Sequence, residues 1–534
     1  MDSHGMTHSA SKAQRRAVCR MCRRRQDSLV SGLKVERVSL DGFVTDEARR
    51  VCQDFARDLP RESISTVELD GFKVGRIGLH ETLLHYKLTS LDELNEDSLA
   101  DFRRRLHNVL LSLRATSEML ATLKPHRIVG YNTHVSVLYI MMLAAERAGV
   151  PTFGIHAGGN MSNRFGSVYL FRSDMVRLYK QWITDFEEKW RNLPATRVGI
   201  ESGARHFSAL TSGKTVWVYS TPKKPEYFDV RAHFGIRPDQ KVLLAMLSSY
   251  DELFSSQIMG VMPEYKLMFT SQVEWLEFLL KYLASRPDLF LIIRVHPREL
   301  PNQRDSIHSN HARRLEEALR DLPANVRINW PQEKISLYDL IPHVDVGLNG
   351  WSSTGKELAH LGVPVVLYNK EILYYPSSLN SLASDPTDYV AKIDSALATG
   401  WSFDRVIQVF RWLGLEYTLG TVDIRDGFSF SEGRRSFFRR ALGKLRRMFA
   451  YRLEASWLGR RLRNQAVISR IILEDVDMIG LQYERQGGLT PAEELSVIRA
   501  EMRKLVESVY AQVPSGRSAN IDALRQATGA QGEA

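Results

Sequence analysis

Cysteine is nearly absent. The 534 residues contain three, Cys19, Cys22 and Cys52. So few cannot form a disulfide framework in a chain of this length, and they fit a reducing compartment. Long apolar runs are missing too. The longest largely apolar stretch, Val135 to Ala145, falls well short of the ~20 residues a membrane-spanning helix needs. The first residues are polar and hold no apolar core of a secretory signal. These absences predict a cytoplasmic protein. Acids are scarce in two places. One is the start, with Arg15, Arg16, Arg20, Arg23, Arg24 and Arg25; the other runs from Arg434 to Arg463, where Glu454 is the only acid. The formal net charge is +10. A basic balance suits nucleic acid, a membrane surface or an anionic substrate.

What is present is ordinary globular composition, 44% hydrophobic and 25% charged. At roughly 100–200 residues per domain, two to four domains are expected. Residues 1–30 read as a basic, disordered arm. Segments 33–43 and 64–80 read as alternating strand-like and turn-like pieces. Leu99 to Leu123 has helical spacing. "HRIVGYN" reads as a buried strand, "VSVLYIMMLAAERAG" as a helix closed by Gly149, and "PTFGIH" as the next strand. Strand–helix–strand is the unit of a parallel sheet. "SGKTVWVYSTPKKP" (Ser212–Pro225) reads as a connection. Beyond it, strands at Lys241–Ser249, Leu289–Val295, Val326–Trp330, Asp345–Leu348 and Pro364–Tyr368 alternate with helices near Gln272–Ala284 and Ala312–Arg320. That alternation predicts a doubly wound α/β domain. After Trp401 the chain turns helical and basic, and its last ~20 residues read as frayed. The predicted domains are therefore 31–225, 226–400 and a helical extension, 401–534.

In open α/β sheets, ligands bind outside the carboxyl ends of strands. Two loops there carry chemistry. "RVHPRE" follows the strand Leu289–Val295. Arg294 and His296 share a face if the strand continues, and Pro297 fixes the turn. An imidazole held there can donate to a phosphate or contact a base. An ordinary strand end with a solvated histidine is the simpler reading of the dipeptide alone. "NGWSSTGKELAHLG" follows the strand Asp345–Leu348. Ser352, Ser353 and Thr354 supply hydroxyls, Gly350 and Gly355 permit close approach, and Lys356 adds a cation. A helix N-terminus there offers N–H groups to an anion. Thr354-x-x-Glu357 also fits a capping box, which accounts for those two residues structurally. It does not account for Ser352 and Ser353.

Taken together, Arg-x-His-Pro after one strand and Gly-x-Ser-Ser-Thr-Gly-x-x-Glu after another resemble the C-terminal half of a GT-B glycosyltransferase of bacterial capsule and surface-polysaccharide biosynthesis. The resemblance runs through "SSYDELF", "VEWLEFLLKYLASRPDLFLIIRVHP", "LYYPSSL" and "DPTDYV", about Lys241 to Leu397. "VGYNTHVSVLYIMMLAAERAGVPTFGIHAGGNMSNRFGS" resembles the acceptor-side domain. The His-Pro and Ser-Ser pairing is also similar to bacterial sialyltransferases, Kdo transferases and polyglycerolphosphate transferases. The resemblance implies two Rossmann-like domains facing a cleft, with a nucleotide-sugar donor in 226–400 and no other cofactor. It places His296 and Pro297 at the nucleotide, Ser352, Ser353, Thr354 and Gly355 at its phosphate with Arg294 beside them, and Glu357 near the ribose. It points to a CMP- or CDP-linked donor and a saccharide or lipid-linked acceptor.

Two departures leave the base open. The acidic pair followed by glycine that supplies it in sialyltransferases is missing from the N-terminal half. Asn349 stands eight residues before Glu357, where many retaining enzymes carry a glutamate. His156, at the end of "PTFGIH", is the first candidate base, Asp251 the second and His134 a third. Each also reads as a loop residue that bonds locally. On the acceptor side, His134, Asn160 and Arg164 are candidate contacts, Arg164 for an anionic group. Glycerophosphate transfer and sugar-nucleotide epimerisation are alternatives within the fold. A nucleic-acid-binding protein or an inactive scaffold are alternatives outside it; no nucleic-acid reading motif is present, so no nucleic-acid partner is expected. From Phe438 through Leu442, Leu445, Phe449 and Leu453 to Trp457, apolar residues follow helical spacing among arginines. That pattern suits either an interfacial helix on anionic lipid or a helix packed on the domains. Cys19-x-x-Cys22 has only Cys52, His4 and His8 for company. Zinc needs about four ligands, so two free thiols and no metal site are expected.

Overall fold

The computed structural model describes residues 35–213, 221–302, 306–424, 465–474 and 477–530, with 16, 19–24, 26, 27 and 30 near the start. Helices α1 (Asp46–Asp58), α2 (Val74–Tyr86) and α3 (Glu96–Leu123) open it. Thr45 caps α1 by accepting from the Ala48 N–H, and Asn95 and Ser98 cap α3 reciprocally. Leu79, Leu83, Phe102, Leu106 and Val109 form their shared core. Among the described residues, the strand-like pieces expected over 33–43 and 64–80 are not strands. Residues 35–39 are irregular, Leu40–Phe43 is a 3-10 turn, and the chain is helical from Val74. The helix was hidden because α2 is buried nearly all round, so its apolar residues show no single stripe.

Strand β1 (Ile128–Tyr131), helix α4 (Ser136–Arg147) and strand β2 (Thr152–Ala157) make a parallel crossover. β3 (Ser167–Arg172) then returns antiparallel to β2. Helices α5 (Met175–Glu188) and α6 (Arg197–Thr211) follow. The first unit is therefore Rossmann-like through one crossover only.

The second unit contains β4 (Lys241–Met246), α7 (Tyr250–Met259), α8 (Gln272–Ala284), β5 (Leu289–Arg294), α9 (Asn310–Ala318) and β6 (Val326–Asn329). It continues with β7 (Val346–Asn349), α10 (Thr354–His360), β8 (Val365–Leu367), β9 (Ser381–Leu382) and α11 (Pro386–Thr399). The strands run parallel in the order β6-β5-β4-β7-β8-β9. The chain winds one way from β4 and then the other way from β7, the doubly wound pattern with its switch point between those strands. Both faces are covered. Val242, Leu244 and Met246 join one core, and Leu243 and Ala245 join the other. Burial on both sides is why these strands read as continuous apolar runs.

The chain then crosses back. α12 (Phe403–Gly414) packs on α6 so closely that a Cβ on Gly199 would lie 2.9 Å from the Gly414 Cα. A π-helical turn (Leu415–Leu419) leads to β10 (Val422–Asp423), which pairs antiparallel with β3. Helices α13 (Gln465–Glu474), α14 (Met478–Gln486), α15 (Pro491–Val509) and α16 (Ala519–Thr528) complete the chain. The molecule is an α/β protein with two sheets, one of them doubly wound, and further helices. The expected fraying of the last ~20 residues is not seen through 530. Ile521 and Leu524 of α16 are buried, and the Asn520 amide donates to the Val344 carbonyl at 2.7 Å. Two apolar anchors and one buried amide suffice where the surrounding sequence is polar. The basic stretch 434–463 lies outside the described residues, as do 214–220 of the connection. No helix among the described residues is long and apolar enough to cross a membrane.

Candidate functional site

The carboxyl ends of β4, β5 and β7 border one cavity of about 200 Å³. Arg294, His296 and Pro297 reach it from the turn after β5. Ser352, Ser353, Thr354 and Glu357 reach it from the loop after β7, and Leu210, Met246, Leu247, Val295, Leu337 and Tyr338 complete the wall. Seven of the eight donor-side residues expected from the sequence thus meet at the switch point. Gly355 does not line the cavity. A Cβ there would lie 2.1 Å from the Tyr375 hydroxyl and 2.6 Å from the Asn349 amide nitrogen, so its glycine serves internal packing.

The hydroxyl loop is held by Asn349, which is fully buried. Its amide oxygen accepts from the Ser352 N–H at 3.0 Å. Its nitrogen donates to the Ser352 carbonyl at 2.8 Å and to the Tyr375 hydroxyl at 2.9 Å. Ser352 and Thr354 hydroxyls lie 2.8 Å apart, and Ser353 is exposed. The expected capping box is absent. Thr354 is the first helical residue, and Ser353, the N-cap, makes no side-chain cap bond. Glu357 instead accepts from the Tyr338 hydroxyl at 2.7 Å and from the Ser353 hydroxyl at 3.3 Å. Burial raises its carboxyl above the ordinary range, against those bonds and the Lys356 charge. Because α10 has only seven residues, the positive character of the cavity rests on Arg294 more than on a helix end. Arg294 bonds Asn329 and the Ile335 carbonyl. Burial pulls it down to about 10, against the opposing acids and Tyr338, and it stays a cation at neutral pH. Lys356, expected to add a second cation, points away. Its ammonium is buried 2.6 Å from Glu416.

Two imidazoles are held in opposite tautomers. His296 Nδ1 accepts from the Arg298 N–H at 3.3 Å and lies 3.0 Å from the Ser249 hydroxyl. Burial first, then Arg298, Arg294 and Lys87, pull it down to about 3. The ring is neutral, its proton is on Nε2, and Nε2 is a donor. His156 Nδ1 lies 2.9 Å from the Ala157 carbonyl. A carbonyl only accepts, so here Nδ1 carries the proton and Nε2 presents a lone pair. Burial, then Arg164, lowers its pKa, keeping it neutral. His156 and Tyr131 rings lie 8° from parallel with centroids 6.2 Å apart. His134 is pushed down to about 4 by burial and then by His80 and His156, so the three imidazoles form one group. His80 Nδ1 lies 3.3 Å from the Ser255 carbonyl of α7, which brings that group to the second unit.

Two other expectations change. Asp251, a candidate base, is 1% exposed and held by Arg298 from both Nε (3.2 Å) and a terminal nitrogen (2.7 Å). Arg298 also donates to the Leu84 carbonyl of α2 at 2.8 Å. The pair ties α7 and α2 to the His-Pro turn. Asn160, a candidate acceptor contact, is 2% exposed. Its nitrogen donates to Ser202, and its oxygen accepts from the Ser162 N–H and hydroxyl. It shapes the loop after β2. Both misreadings arise because a polar loop residue satisfies buried backbone and charge as readily as a ligand. Asn349, Tyr338 and Asn329 were missed as site residues; for Asn349, its place at the strand end before the serines was the available signal. Cys19 and Cys22 are exposed and Cys52 buried, all as free thiols. No group of three metal-ligating side chains occurs among the described residues.

No family model and no curated protein matches the sequence. Solved structures do. The chain is similar to KpsC, a β-Kdo 2,4 transferase of Thermosulfurimonas dismutans, at 15% identity over 59% of this chain and 85% of that one, TM-score 0.35. It is similar to a UDP-N-acetylglucosamine 2-epimerase at 13% identity, over 71% and 94%, TM-score 0.23. It is also similar to the spinosyn forosaminyltransferase SpnP at 14% identity, over 58% and 79%, TM-score 0.24.

Proposed function

We infer that this chain is a glycosyltransferase, moving a sugar from a nucleotide-activated donor to a saccharide or lipid-linked surface-polysaccharide acceptor. The observation that carries this is the convergence of Arg294, His296, Ser352, Ser353, Thr354 and Glu357 on one cavity at the switch point of a doubly wound sheet. Anionic phosphate meets the Arg294 charge and the hydroxyl donors. His296 adds the Nε2–H, and Glu357 accepts from a donor hydroxyl. In the transfer, an acceptor oxygen bonds the anomeric carbon while the bond from that carbon to the phosphate oxygen breaks. The acceptor proton passes to Nε2 of His156, and charge gathering on the leaving phosphate is met by the cation and donors already in place. Arg164, whose charge bears on His156, would meet an anionic acceptor.

The test is a thermal-shift panel of CMP-, CDP-, UDP- and GDP-linked sugars. A ligand at 100 times its Kd adds about 2.7 kcal/mol, so at least one should raise the melting temperature clearly. The variant with alanine at both His296 and Ser353 should show no shift. Indifference of the folded wild-type protein to every donor would remove the donor site. Turnover of a UDP-sugar with no acceptor present would identify an epimerase instead.

A further inference from the structure

Lys356 sits in the first turn of α10, directly behind the hydroxyl loop, and its side chain is 9% exposed. Its ammonium lies 2.6 Å from one Glu416 oxygen and 3.5 Å from the Tyr417 hydroxyl. That hydroxyl lies 3.2 Å from Nε2 of His206, whose Nδ1 accepts from the Met161 N–H at 3.0 Å. The other Glu416 oxygen accepts from the Tyr179 hydroxyl at 3.3 Å. Tyr179 in turn lies 3.4 Å from the Tyr169 hydroxyl, which accepts from the Gly159 N–H at 2.8 Å. Two arms of buried side chains therefore leave one lysine behind the phosphate-side loop. They end on two backbone N–H groups of the same acceptor-side loop, two residues apart. Tyr169 is 1% exposed, Glu416 4%, and His206 and Tyr417 5% each.

Apolar side chains of similar volume would hold these helices together as well as a buried ion pair does. What the ring adds is register. Each hydrogen bond is directional, and slipping one loop past the other breaks bonds in both arms. We propose that Lys356 is a positioning residue whose buried ring locks the Ser352–Thr354 loop to the Gly158–Arg164 loop, so that filling the donor cavity orders the acceptor side. The functional meaning of this lock rests on the transferase reading; the lock itself does not.

The experiment is amide hydrogen exchange on the full chain, using Tyr169→Phe and Tyr417→Phe, each of which deletes one oxygen and no charge. Without ligand, either variant should speed exchange at Ser352–Lys356 by about tenfold, the loss of one buried hydrogen bond. The melting temperature should stay close to wild type. Change confined to Gly159 or Met161 would overturn the lock. Adding CMP, UDP or inorganic pyrophosphate to wild type should slow exchange at Gly159 and Met161, and this response should vanish in Tyr417→Phe. Binding of any of the three with those amides indifferent overturns the coupling. If none binds, the donor-site reading fails, and the ligand-free comparison still decides the lock.

Discussion

Lys356→Met should cost roughly 3–5 kcal/mol of folding free energy, the usual consequence of leaving a buried partner charge uncompensated. The Glu416 side chain is 5% exposed, and with the lysine gone the Tyr179 hydroxyl remains as a donor to it, at 3.3 Å. A carboxylate in that position either stays ionised without a counter-charge or takes up a proton, and both are unfavourable at neutral pH. Lys356→Met combined with Glu416→Leu should recover most of the loss, because two apolar groups need no partner. Arg205→Ala is the control. Its pair with Glu201 is exposed, 54% and 40% for the two side chains, and exposed pairs contribute little. Urea midpoints for the four proteins decide the matter. A loss below about 1 kcal/mol for Lys356→Met would mean that the pair is solvated and the ring is loose.

The second unit was legible and the first was partly so, for a common reason. Strands covered on both faces, such as Leu289–Arg294, carry a short continuous apolar run, here Leu289 to Ile293. Gln272–Ala284 was readable to the residue because Ser271 caps it and its apolar stripe faces one core. α2 carries the opposite signal, a helix wrapped by neighbours on nearly every side. At the cavity, the strand-end rule located Arg294, His296 and the serines, since it depends on topology alone. What failed were inferences from local spacing. Thr354-x-x-Glu357 has the spacing of a capping box, yet Glu357 bonds Tyr338, 19 residues earlier. Lys356 looks like a loop cation, yet its partner lies 60 residues later. Asp251 looks like a loop acid, yet it answers Arg298, 47 residues on. Each partner sits on a different strand or helix of the folded sheet, and no window along the sequence contains both. Charges near a site are read reliably only after the fold has paired them.

Stability should fall steeply as the pH drops from about 6.5 toward 5. His311, His343 and His360 are 3%, 7% and 1% exposed, and burial lowers them to about 4, 4 and 3. His134 and His296 are lowered in the same sense. In the unfolded chain each returns to about 6.5. Between the two values the unfolded state holds the extra proton, so stability rises with pH across that window and is lost on acidification. The slope is about 1.4 kcal/mol per pH unit for each histidine. Glu299 works the other way: burial raises it to about 7, so the folded state takes its proton first and gains stability as the pH falls. The five histidines named outnumber the two site carboxyls that burial raises, Glu299 and Glu357, so the net slope keeps the histidines' sign and stability is lost on acidification. His360 isolates the cause. It stacks 3.7 Å from Phe207, and neither ring nitrogen has a hydrogen-bond partner among the described residues. His360→Leu should therefore flatten the urea midpoint between pH 7 and 5 by one histidine's share while changing it little at pH 7. An unchanged slope in that variant would show that His360 is already solvated when folded, and that acid acts through other groups.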